Sequence, residues 1–389
     1  MTNNMPNPAS VLKNSMNKEP RVALVHFWLL GMRGGEKVLE ALCRMFPQAD
    51  IFTHVYNPDA ISETIKKHKI HTTFINRLPK ARKLYQTYLP LMPLALDQLD
   101  LSGYDLVISS ESGPAKGIVT SPDAAHICYC HSPMRYVWDL YHEYTAGMSL
   151  PKRILAAPIM HYMRIWDRTS AIDPDMVIAN SSFIAQRVKK CWGRDAEVVH
   201  PPVAVDNFSP LPKDQKKNFY LCFGELVPYK RADLAVKAFS RPGCERELIV
   251  IGQGEQLDYL KKIAGPKVTF LGRQPDGAVK QYLANCRALV FPGLEDFGII
   301  PVEALASGTP VIAYGRGGVK DTVEDGQNGI FFYNQTEEDL LAAVERFEEQ
   351  EDSFDPARLA LEAKRFTEEN FTAEMRKLVD KVLTAKGLI

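Results

Sequence analysis

Two glutamates eight positions apart, Glu295 and Glu303, flank an apolar bend in the stretch GLEDFGIIPVEALASGTPVI. The pattern predicts that a strand ends at Pro292-Gly293 and that a helix begins at Pro301, which places Glu303 in the first helical turn. Backbone N–H groups at a helix start favour an anion such as a phosphate. Glu295 could then hold sugar hydroxyls or stabilise a developing positive charge, and Glu303 could hold a ribose. The alternative is a solvated loop acid and a complement to the helix dipole.

Other segments carry residue types suited to phosphate and sugar chemistry. In GELVPYKR, Lys230 and Arg231 follow a predicted strand, and an arginine can hold a phosphate through two hydrogen bonds. His131 comes directly after another predicted strand in YCHSPMRYVWD. Gly34 and Gly35 in GMRGG would let the backbone approach a diphosphate that a side chain would obstruct. The alternatives are a solvated pair opening a helix, a structural histidine and an ordinary strand-to-helix turn.

The composition is that of a globular protein without a strong charge bias. The chain has 389 residues, 46% of them apolar, and a formal net charge of zero, which argues against a nucleic-acid binder. No apolar run approaches the ~20 residues of a membrane-spanning helix, and the first twenty residues are typical of a flexible tail and not of a signal peptide. The seven cysteines are scattered without zinc-site spacing, which predicts a reducing, cytoplasmic location and no bound metal.

Strands alternate with helices along most of the chain. The strands predicted in the first half are apolar on both faces, as in a parallel sheet covered by helices, and they span 21–27, 49–56, 104–110, 124–131 and 174–180. A proline-rich polar stretch at 200–218 indicates a domain boundary, after which five or six further strands follow. The sequence therefore predicts two doubly wound, Rossmann-like α/β domains facing an interdomain cleft.

The paired-glutamate block and the later GGVKDTVEDGQNGIFF resemble the retaining GT-B glycosyltransferases of family 4. They are most similar to bacterial mannosyltransferases that build O-antigen and exopolysaccharide repeat units. GMRGGEKVLEAL, CHSPMRYVWD, ANSSFIAQRV and GELVPYKRADLAVKAF follow in the family's order, so the resemblance covers nearly the whole chain after about Arg21. It implies a tail at 1–20, an acceptor domain at 21–205, a linker at 206–218, a donor domain at 219–372, and a C-terminal helix at 373–389 that packs back on the N-terminal domain.

The resemblance implies roles for particular residues. Glu295 and His131 would be catalytic and contact the donor sugar, with Glu295 near the anomeric carbon. Glu303 would bind the ribose, and Arg273 lies where the family holds the base. The remaining donor-binding residues would contact the diphosphate or the sugar, and they are Gly34, Gly35, Lys230, Arg231, Phe297, Gly298 and Ile299. Arg135 and Trp138 are candidates for acceptor contacts.

One position departs from the family's pattern. The family usually has an arginine after the glycine that ends the strand, and this chain has Glu225 there. Arg231 could supply the missing positive charge, but the individual role of each cation is open. His26, at the end of the first strand, is predicted to contribute to packing or to the wall of the cleft.

The resemblance also implies a mechanism without a cofactor or a metal. Lys230, Arg231 and the loop N–H groups would stabilise the departing nucleotide diphosphate, and no Asp-x-Asp lies on a plausible metal-binding loop. Retention without an evident nucleophile implies attack on the same face as departure. The expected reaction is transfer of α-mannose from GDP-mannose to a polyprenyl-diphosphate-linked oligosaccharide.

Two basic stretches rich in apolar side chains, 66–94 and 149–168, suggest attachment to an anionic membrane surface. The enzyme would then be peripheral at the cytoplasmic face of the membrane. The alternative is that both are ordinary amphipathic helices covering a sheet.

Two other functions fit the same architecture: a nucleotide-sugar 2-epimerase, and a non-catalytic nucleotide-sugar-binding subunit of an assembly complex. The sugar-facing loop favours the transferase over the epimerase, and the complete set of acids and cations argues against the non-catalytic subunit. The sequence leaves the donor sugar, the linkage, the acceptor and the oligomeric state open.

Overall fold

The computed structural model describes residues 19–389, in which the chain forms two units, each built on its own parallel sheet. Unit 1 comprises residues 19–180, 184–201 and 371–389, and unit 2 comprises residues 181–183 and 202–370. The predicted linker at 206–218 therefore lies within unit 2. Most of the predicted N-terminal tail, residues 1–18, lies outside the described residues.

Unit 1 contains seven parallel strands in the order β3-β2-β1-β4-β5-β6-β7. The five predicted strands are present, and the sequence patterns missed β3 and β7, because strands of two or three residues are too short to show a period. The strands are β1 Val22–His26, β2 Asp50–Thr53, β3 Ile70–Thr72, β4 Leu106–Glu111, β5 Ala125–Cys130, β6 Met176–Ala179 and β7 Glu197–Val198.

Unit 2 contains six parallel strands in the order β10-β9-β8-β11-β12-β13. All six correspond to predicted strands. They are β8 Tyr220–Phe223, β9 Leu248–Ile251, β10 Val268–Gly272, β11 Leu289–Phe291, β12 Val311–Tyr314 and β13 Gly329–Phe332. The predicted fold class, two doubly wound Rossmann-like domains with parallel sheets, is confirmed.

Helices connect the strands in both units. The α-helices of the described residues are α1 Gly34–Met45, α2 Glu63–Lys66, α3 Ala81–Leu84, α4 Met92–Asp97, α5 Tyr141–Ala146, α6 Leu150–Thr169, α7 Ser182–Trp192, α8 Ala232–Phe239, α9 Leu257–Ile263, α10 Asp276–Asn285, α11 Ile299–Ala306, α12 Glu337–Glu349, α13 Pro356–Ala363 and α14 Glu368–Ala385. From Phe371 onward α14 belongs to unit 1, where Phe371, Met375 and Val379 join the core around β1, β4 and β5.

The strand order reverses direction once in each sheet. In unit 1 the change lies between β1 and β4, and in unit 2 between β8 and β11. In open parallel sheets, ligands bind beyond the carboxyl ends of the strands at this switch point, because the helices on either side leave in opposite directions and open a crevice. The residues that follow β1, β4, β8 and β11 are therefore candidates for a ligand site.

The basic stretch 66–94 does not form one amphipathic helix. It is divided among the end of α2, strand β3, the single-turn helix α3, short 3-10 turns and the start of α4, and Lys80 interrupts it with a φ of 53°. Its seven lysines and arginines are nevertheless exposed, as are Leu84, Leu91 and Leu94.

Three buried histidines (His26, His54 and His126) and the partly buried His131 lie in unit 1, and removal from water lowers their pKa values. The pKa values of His54, His126 and His131 fall from 6.5 to about 4, chiefly because burial penalises the charged imidazolium, and that of His26 is also lowered, by burial and by nearby His131. Burial acts in the opposite sense on Glu36 and Glu111, whose pKa values are raised.

Unit 1 should therefore lose stability in mild acid before unit 2. A base whose folded-state pKa lies below its unfolded value contributes stability that is present above the unfolded pKa, near 6.5, and is lost as the pH falls toward 4. The expected loss is about 2 kcal/mol per strongly shifted histidine between pH 6.5 and 5. The raised pKa values of Glu36 and Glu111 offset part of this loss, because their buried carboxyls take up protons over the same range. Unit 2 contains none of the nine histidines. Calorimetric unfolding at pH 7.5 and 5.0 checks this, and a transition of unit 1 that does not shift would contradict it.

Candidate active site

An ion pair joins two of the predicted site residues at the switch point of unit 2. Lys230 follows β8 and Glu295 follows β11, which are neighbouring strands, and the Lys230 Nζ contacts the Glu295 carboxylate. Only 21% of the lysine side chain and 13% of the glutamate side chain are exposed, so water screens the pair only partly. The sheet order thus brings together an acid and a cation that are 65 positions apart.

Helix α11 begins two residues earlier than predicted. Gly298, with a φ of 88°, precedes its first residue, Ile299, and Pro301 lies within the first turn, where its missing N–H costs little. Glu303 consequently lies in the second turn of the helix and not in the first, as the sequence pattern predicted. The Phe297 ring is buried against Phe366, so Phe297 faces the core with its side chain and leaves only its backbone at the edge of the sheet.

Glycines allow the loops at this edge to pack backbone against backbone. A Cβ on Gly293 would lie 2.8 Å from the Lys230 carbonyl oxygen, and a Cβ on Gly318 would lie 2.1 Å from the Asp296 carbonyl oxygen. The Gly318 N–H also donates to the Glu295 carbonyl oxygen at 2.9 Å. The loop after β12 therefore supports the loop that carries Glu295. Apart from the glycines themselves, no sequence pattern indicates this contact.

Gly318→Ala should displace the loop at 295–297 because the added Cβ cannot coexist with the Asp296 carbonyl. Gly318 lies outside the left-handed φ region, so the effect is steric and not conformational. We expect a loss of about 2–3 kcal/mol in the unfolding free energy of unit 2. Gly277→Ala is the matched control, since a Cβ on Gly277 meets nothing within 4 Å and Ala is the better helix former. Chemical denaturation measures both variants, and equal stabilities would contradict the assigned contact.

The other predicted cations of unit 2 lie at the same edge. Arg231, with a φ of 55°, precedes α8, and its guanidinium donates to Asp233 and Gln335 at 3.1 Å each. Arg273 follows β10 and is exposed, and so is Glu225 after β8. Their roles toward a donor stay predictions.

In unit 1, the glycine pair belongs to a helix and not to the preceding turn. Gly34 and Gly35 are the first two residues of α1, and the Arg33 N–H donates to the Glu36 carboxylate at 3.0 Å. Helix α1 follows β1, so its positive end lies at the carboxyl edge of the sheet.

A chain of three polar side chains lies beside the first turn of α1. His26 Nδ1 is 3.0 Å from the Ser110 Oγ, and the same oxygen is 2.8 Å from the His131 Nε2. A Cβ on Gly35 would lie 3.5 Å from both His131 Nε2 and His26 Cε1. His26, predicted to pack or to line the cleft wall, is fully buried in this chain.

Ser110 was missed by the reading of the sequence, although a serine pair at the carboxyl end of the apolar run YDLVISS is a usable signal. Ser110 is buried, and its neighbour Ser109 makes a separate hydrogen bond to His126 at 3.0 Å. Because the pKa of His131 falls to about 4 through burial, this imidazole is neutral at physiological pH. It can act there through hydrogen bonding but not through charge.

The segment after β5 is anchored to a buried ionic cluster. Trp138, an acceptor candidate, donates its indole N–H to Asp167 at 2.7 Å. The fully buried Lys116 contacts Asp167 at 2.6 Å and Glu111 at 2.9 Å. Trp138 therefore has a structural partner, and an acceptor could reach only its ring. Arg135 lies in the 3-10 turn between His131 and Trp138 and is partly buried.

A cavity of about 290 Å³ lies at the opposite, amino-terminal edge of the sheet of unit 2. Lys216 lines it, but its ammonium group already donates to the Ala284 carbonyl oxygen and to Thr309 at 2.9 and 2.8 Å. This cavity contains none of the predicted site residues, and we do not assign the donor to it.

Residues 19–389 contain neither a metal-binding cluster nor a membrane-spanning helix. No group of three or more His, Cys, Asp or Glu side chains in this part of the chain is arranged to hold a metal ion. Within the same range, no helix has the length and apolar character needed to cross a bilayer. Independence from metals stays a prediction.

Two family models match the chain. Residues 32–207 match the model described as Glycosyltransferase Family 4, and residues 205–366 match the one described as Glycosyl transferases group 1. The two matches meet at the boundary between the units, and together they include every predicted site residue.

Curated relatives and solved structures agree with these matches. The chain is 33% identical over 181 residues to D-inositol 3-phosphate glycosyltransferase of Mycolicibacterium smegmatis, covering 40% of this chain and 41% of that protein. It is 28% identical over 200 residues to the GDP-mannose-dependent alpha-(1-6)-phosphatidylinositol monomannoside mannosyltransferase of Mycobacterium tuberculosis, covering 44% and 51%. The chain thus spans about half the length of the curated relatives it matches. HepE of Anabaena, solved in complex with UDP, has the same fold, with a TM-score of 0.67, 16% identity, and coverage of 93% of this chain and 100% of that one.

Proposed function

Because the chain belongs to glycosyltransferase family 4 and has the GT-B fold, we propose that it transfers a hexosyl unit from a nucleotide sugar, with retention at the anomeric carbon. The observation that carries this proposal is the ion pair between Lys230 and Glu295 at the switch point of unit 2. An acid and a cation fixed at that position match the two ends of an activated sugar, where positive charge develops on the ring and negative charge on the leaving diphosphate.

The loop and helix around this pair supply the remaining groups. The first N–H groups of α11, at Ile299 and Ile300, have no partner within the helix and favour a phosphate. Lys230 would add its charge to the same diphosphate, exchanging Glu295 for a phosphate oxygen. Glu295 would then be released toward the sugar ring, and Glu303, one turn further along α11, would take the ribose hydroxyls.

We propose GDP-mannose as the donor and a same-face reaction that uses the cations of the chain in place of a divalent metal. A relative named as a GDP-mannose-dependent mannosyltransferase supports the choice of donor. The acceptor proposed from the sequence resemblance is a polyprenyl-diphosphate-linked oligosaccharide of bacterial O-antigen or exopolysaccharide synthesis.

The test is a panel of GDP- and UDP-sugars incubated with short lipid-linked acceptors and read by mass spectrometry. We expect a mass increase of one hexose with GDP-mannose, unchanged by EDTA, and an α-linkage in the product by NMR. Transfer only with added divalent metal would contradict the metal-independent part. Epimerisation of the donor without transfer, or no reaction with any acceptor, would contradict the proposed activity.

The enzyme would reach a lipid-linked acceptor by binding the membrane surface with helix α6. Asp167, near the end of this helix, is held by Lys116, Trp138 and Trp192, whereas its first three turns are largely exposed. The exposed part has no acidic residue, carries Lys152 and Arg153, and presents apolar side chains, the most exposed being Leu150, Ile154 and Leu155. A basic and apolar surface without acids is complementary to an anionic bilayer.

Ile154→Asp combined with Leu155→Asp should abolish flotation with anionic vesicles. Both side chains are at least 65% exposed, so the change removes apolar contact with lipid and adds negative charge without disturbing the core. Leu361→Asp is the matched control, since Leu361 is 65% exposed in unit 2. Liposome flotation at low salt measures binding, and a wild-type protein that does not bind anionic vesicles would contradict the membrane proposal.

A further inference from the structure

Ser110 joins His26 and His131 into one hydrogen-bonded chain, in which the protons can be placed in only a few ways. Its Oγ is 3.0 Å from His26 Nδ1 and 2.8 Å from His131 Nε2. A serine hydroxyl has one proton and two acceptor lone pairs. If both imidazoles donated to Ser110, its buried hydroxyl proton would have no acceptor among the described residues, so Ser110 donates to one imidazole and accepts from the other. With both histidines neutral, only two arrangements remain, and they give His131 opposite tautomers.

In the first arrangement, His26 donates from Nδ1 to Ser110, and Ser110 donates to His131 Nε2. The proton of His131 is then on Nδ1. In the second, His131 donates from Nε2 to Ser110, and Ser110 donates to His26 Nδ1. The proton of His26 is then on Nε2.

Two observations favour the first arrangement. The Nε2 of His26 is buried and has no hydrogen-bond partner among the described residues, so the second arrangement would bury an unsatisfied N–H. The Nε2 of His131 lies close to the first turn of α1, 3.5 Å from where a Cβ of Gly35 would be. The positive end of a helix favours a lone pair over a proton at that nitrogen.

We propose that Ser110 is a positioning residue that holds His131 as the neutral Nδ1–H tautomer. His131 then offers its site a hydrogen-bond donor without a charge. The Nδ1 of His131 makes no hydrogen bond to any described residue, so this proton is open to an oxygen acceptor of a ligand. A sugar hydroxyl or a glycosidic oxygen is the class of group that it fits. The identification of this ligand as the transferred sugar rests on the proposed function. The tautomer of His131 does not depend on that function.

The tautomer can be measured without any substrate. Full-length protein with ring-¹⁵N-labelled histidine is examined by long-range ¹H–¹⁵N correlation NMR at pH 7.5, and His131→Asn assigns the signal. We expect the Nδ1–H pattern at His131 in the wild type. Ser110→Ala should shift His131 toward the Nε2–H form. Ser109→Ala should change only His126, because Ser109 bonds His126 from the adjacent position on the same strand.

Ser109→Ala also serves as the control for activity, since both serines are buried and each bonds one or more buried histidines. Ser110→Ala should lower kcat about tenfold, because it removes the one hydrogen bond that selects the Nδ1–H tautomer of His131. KM for the donor should stay within about twofold. Ser109→Ala should leave both constants within about twofold.

An Nε2–H or doubly protonated His131 in the wild type would overturn the proposal, and so would a Ser110→Ala variant with an unchanged His131 tautomer. If Ser110→Ala does not fold, the wild-type spectrum alone decides. A wild-type protein without transferase activity would count against the proposed function and leave the tautomer to be judged by the spectrum.

Discussion

Glu295→Gln is expected to reduce the transfer rate about 10³-fold while leaving the affinity for the nucleoside diphosphate unchanged or higher. The amide keeps the shape of the side chain but removes the negative charge that would stabilise the sugar in the transition state. The Glu295 carboxylate contacts Lys230, so the substitution also removes an ion pair that competes with phosphate for the lysine. The rate and the affinity should therefore move in different directions.

Single-turnover kinetics and calorimetric titration with GDP measure these two quantities separately. Glu345→Gln is the matched control, because Glu345 is an exposed carboxylate on α12 of the same unit. A rate that is unchanged in Glu295→Gln would discredit the assignment of the site. A parallel loss of GDP affinity would show that Glu295 binds the nucleotide and does not act on the sugar.

Lys230→Gln is expected to weaken GDP binding about tenfold and to lower kcat/KM by a further one to two orders of magnitude. The second loss is expected because the lysine interacts more strongly with the diphosphate as negative charge develops on it in the transition state. The substitution also leaves the Glu295 carboxylate without this cation at a site that is largely shielded from water. We expect a loss of about 2 kcal/mol in the unfolding free energy of unit 2.

The double variant Lys230→Gln with Glu295→Gln separates the two effects of the lysine. It should recover part of the stability that Lys230→Gln loses, since no unpaired charge is left, but it should not recover GDP affinity. Lys261→Gln, an exposed lysine on α9, is the control for charge alone. Additive stabilities in the double variant would show that the contact between Lys230 and Glu295 does not exist in solution.

Much of the fold could be predicted because its signals are local. Apolar runs on both faces indicated parallel strands, and they located the main strands of both sheets to within one or two residues at most ends. The start of α11 is predicted two residues too late, because Pro301 is typical of a first helical residue, whereas the left-handed φ of Gly298 lets the helix begin at Ile299. The elements within 66–94 could not be predicted, because each is too brief to show a period of its own.

The residues of the candidate site also include some that the sequence predicts and some that it does not. Lys230, Glu295 and His131 were found because each follows an apolar run and has a side chain suited to phosphate or sugar, which are properties of a short segment. Their partners could not be found in this way. Glu295 meets Lys230 because β8 and β11 are neighbours in the sheet, and Ser110 meets His26 and His131 because β4 lies between β1 and β5.

The order of residues therefore sufficed for the class of fold, the family and the chemical groups offered at the ends of the strands, since periodicity and turn chemistry act over a few residues. The contacts between residues that are distant in sequence could be identified only in the folded chain. Lys116 is neutralised by Asp167, 51 positions away, and the Glu295 loop is supported by Gly318. Such contacts depend on which strands lie side by side, and that is decided by packing of the whole sheet and its helices, to which distant segments contribute together.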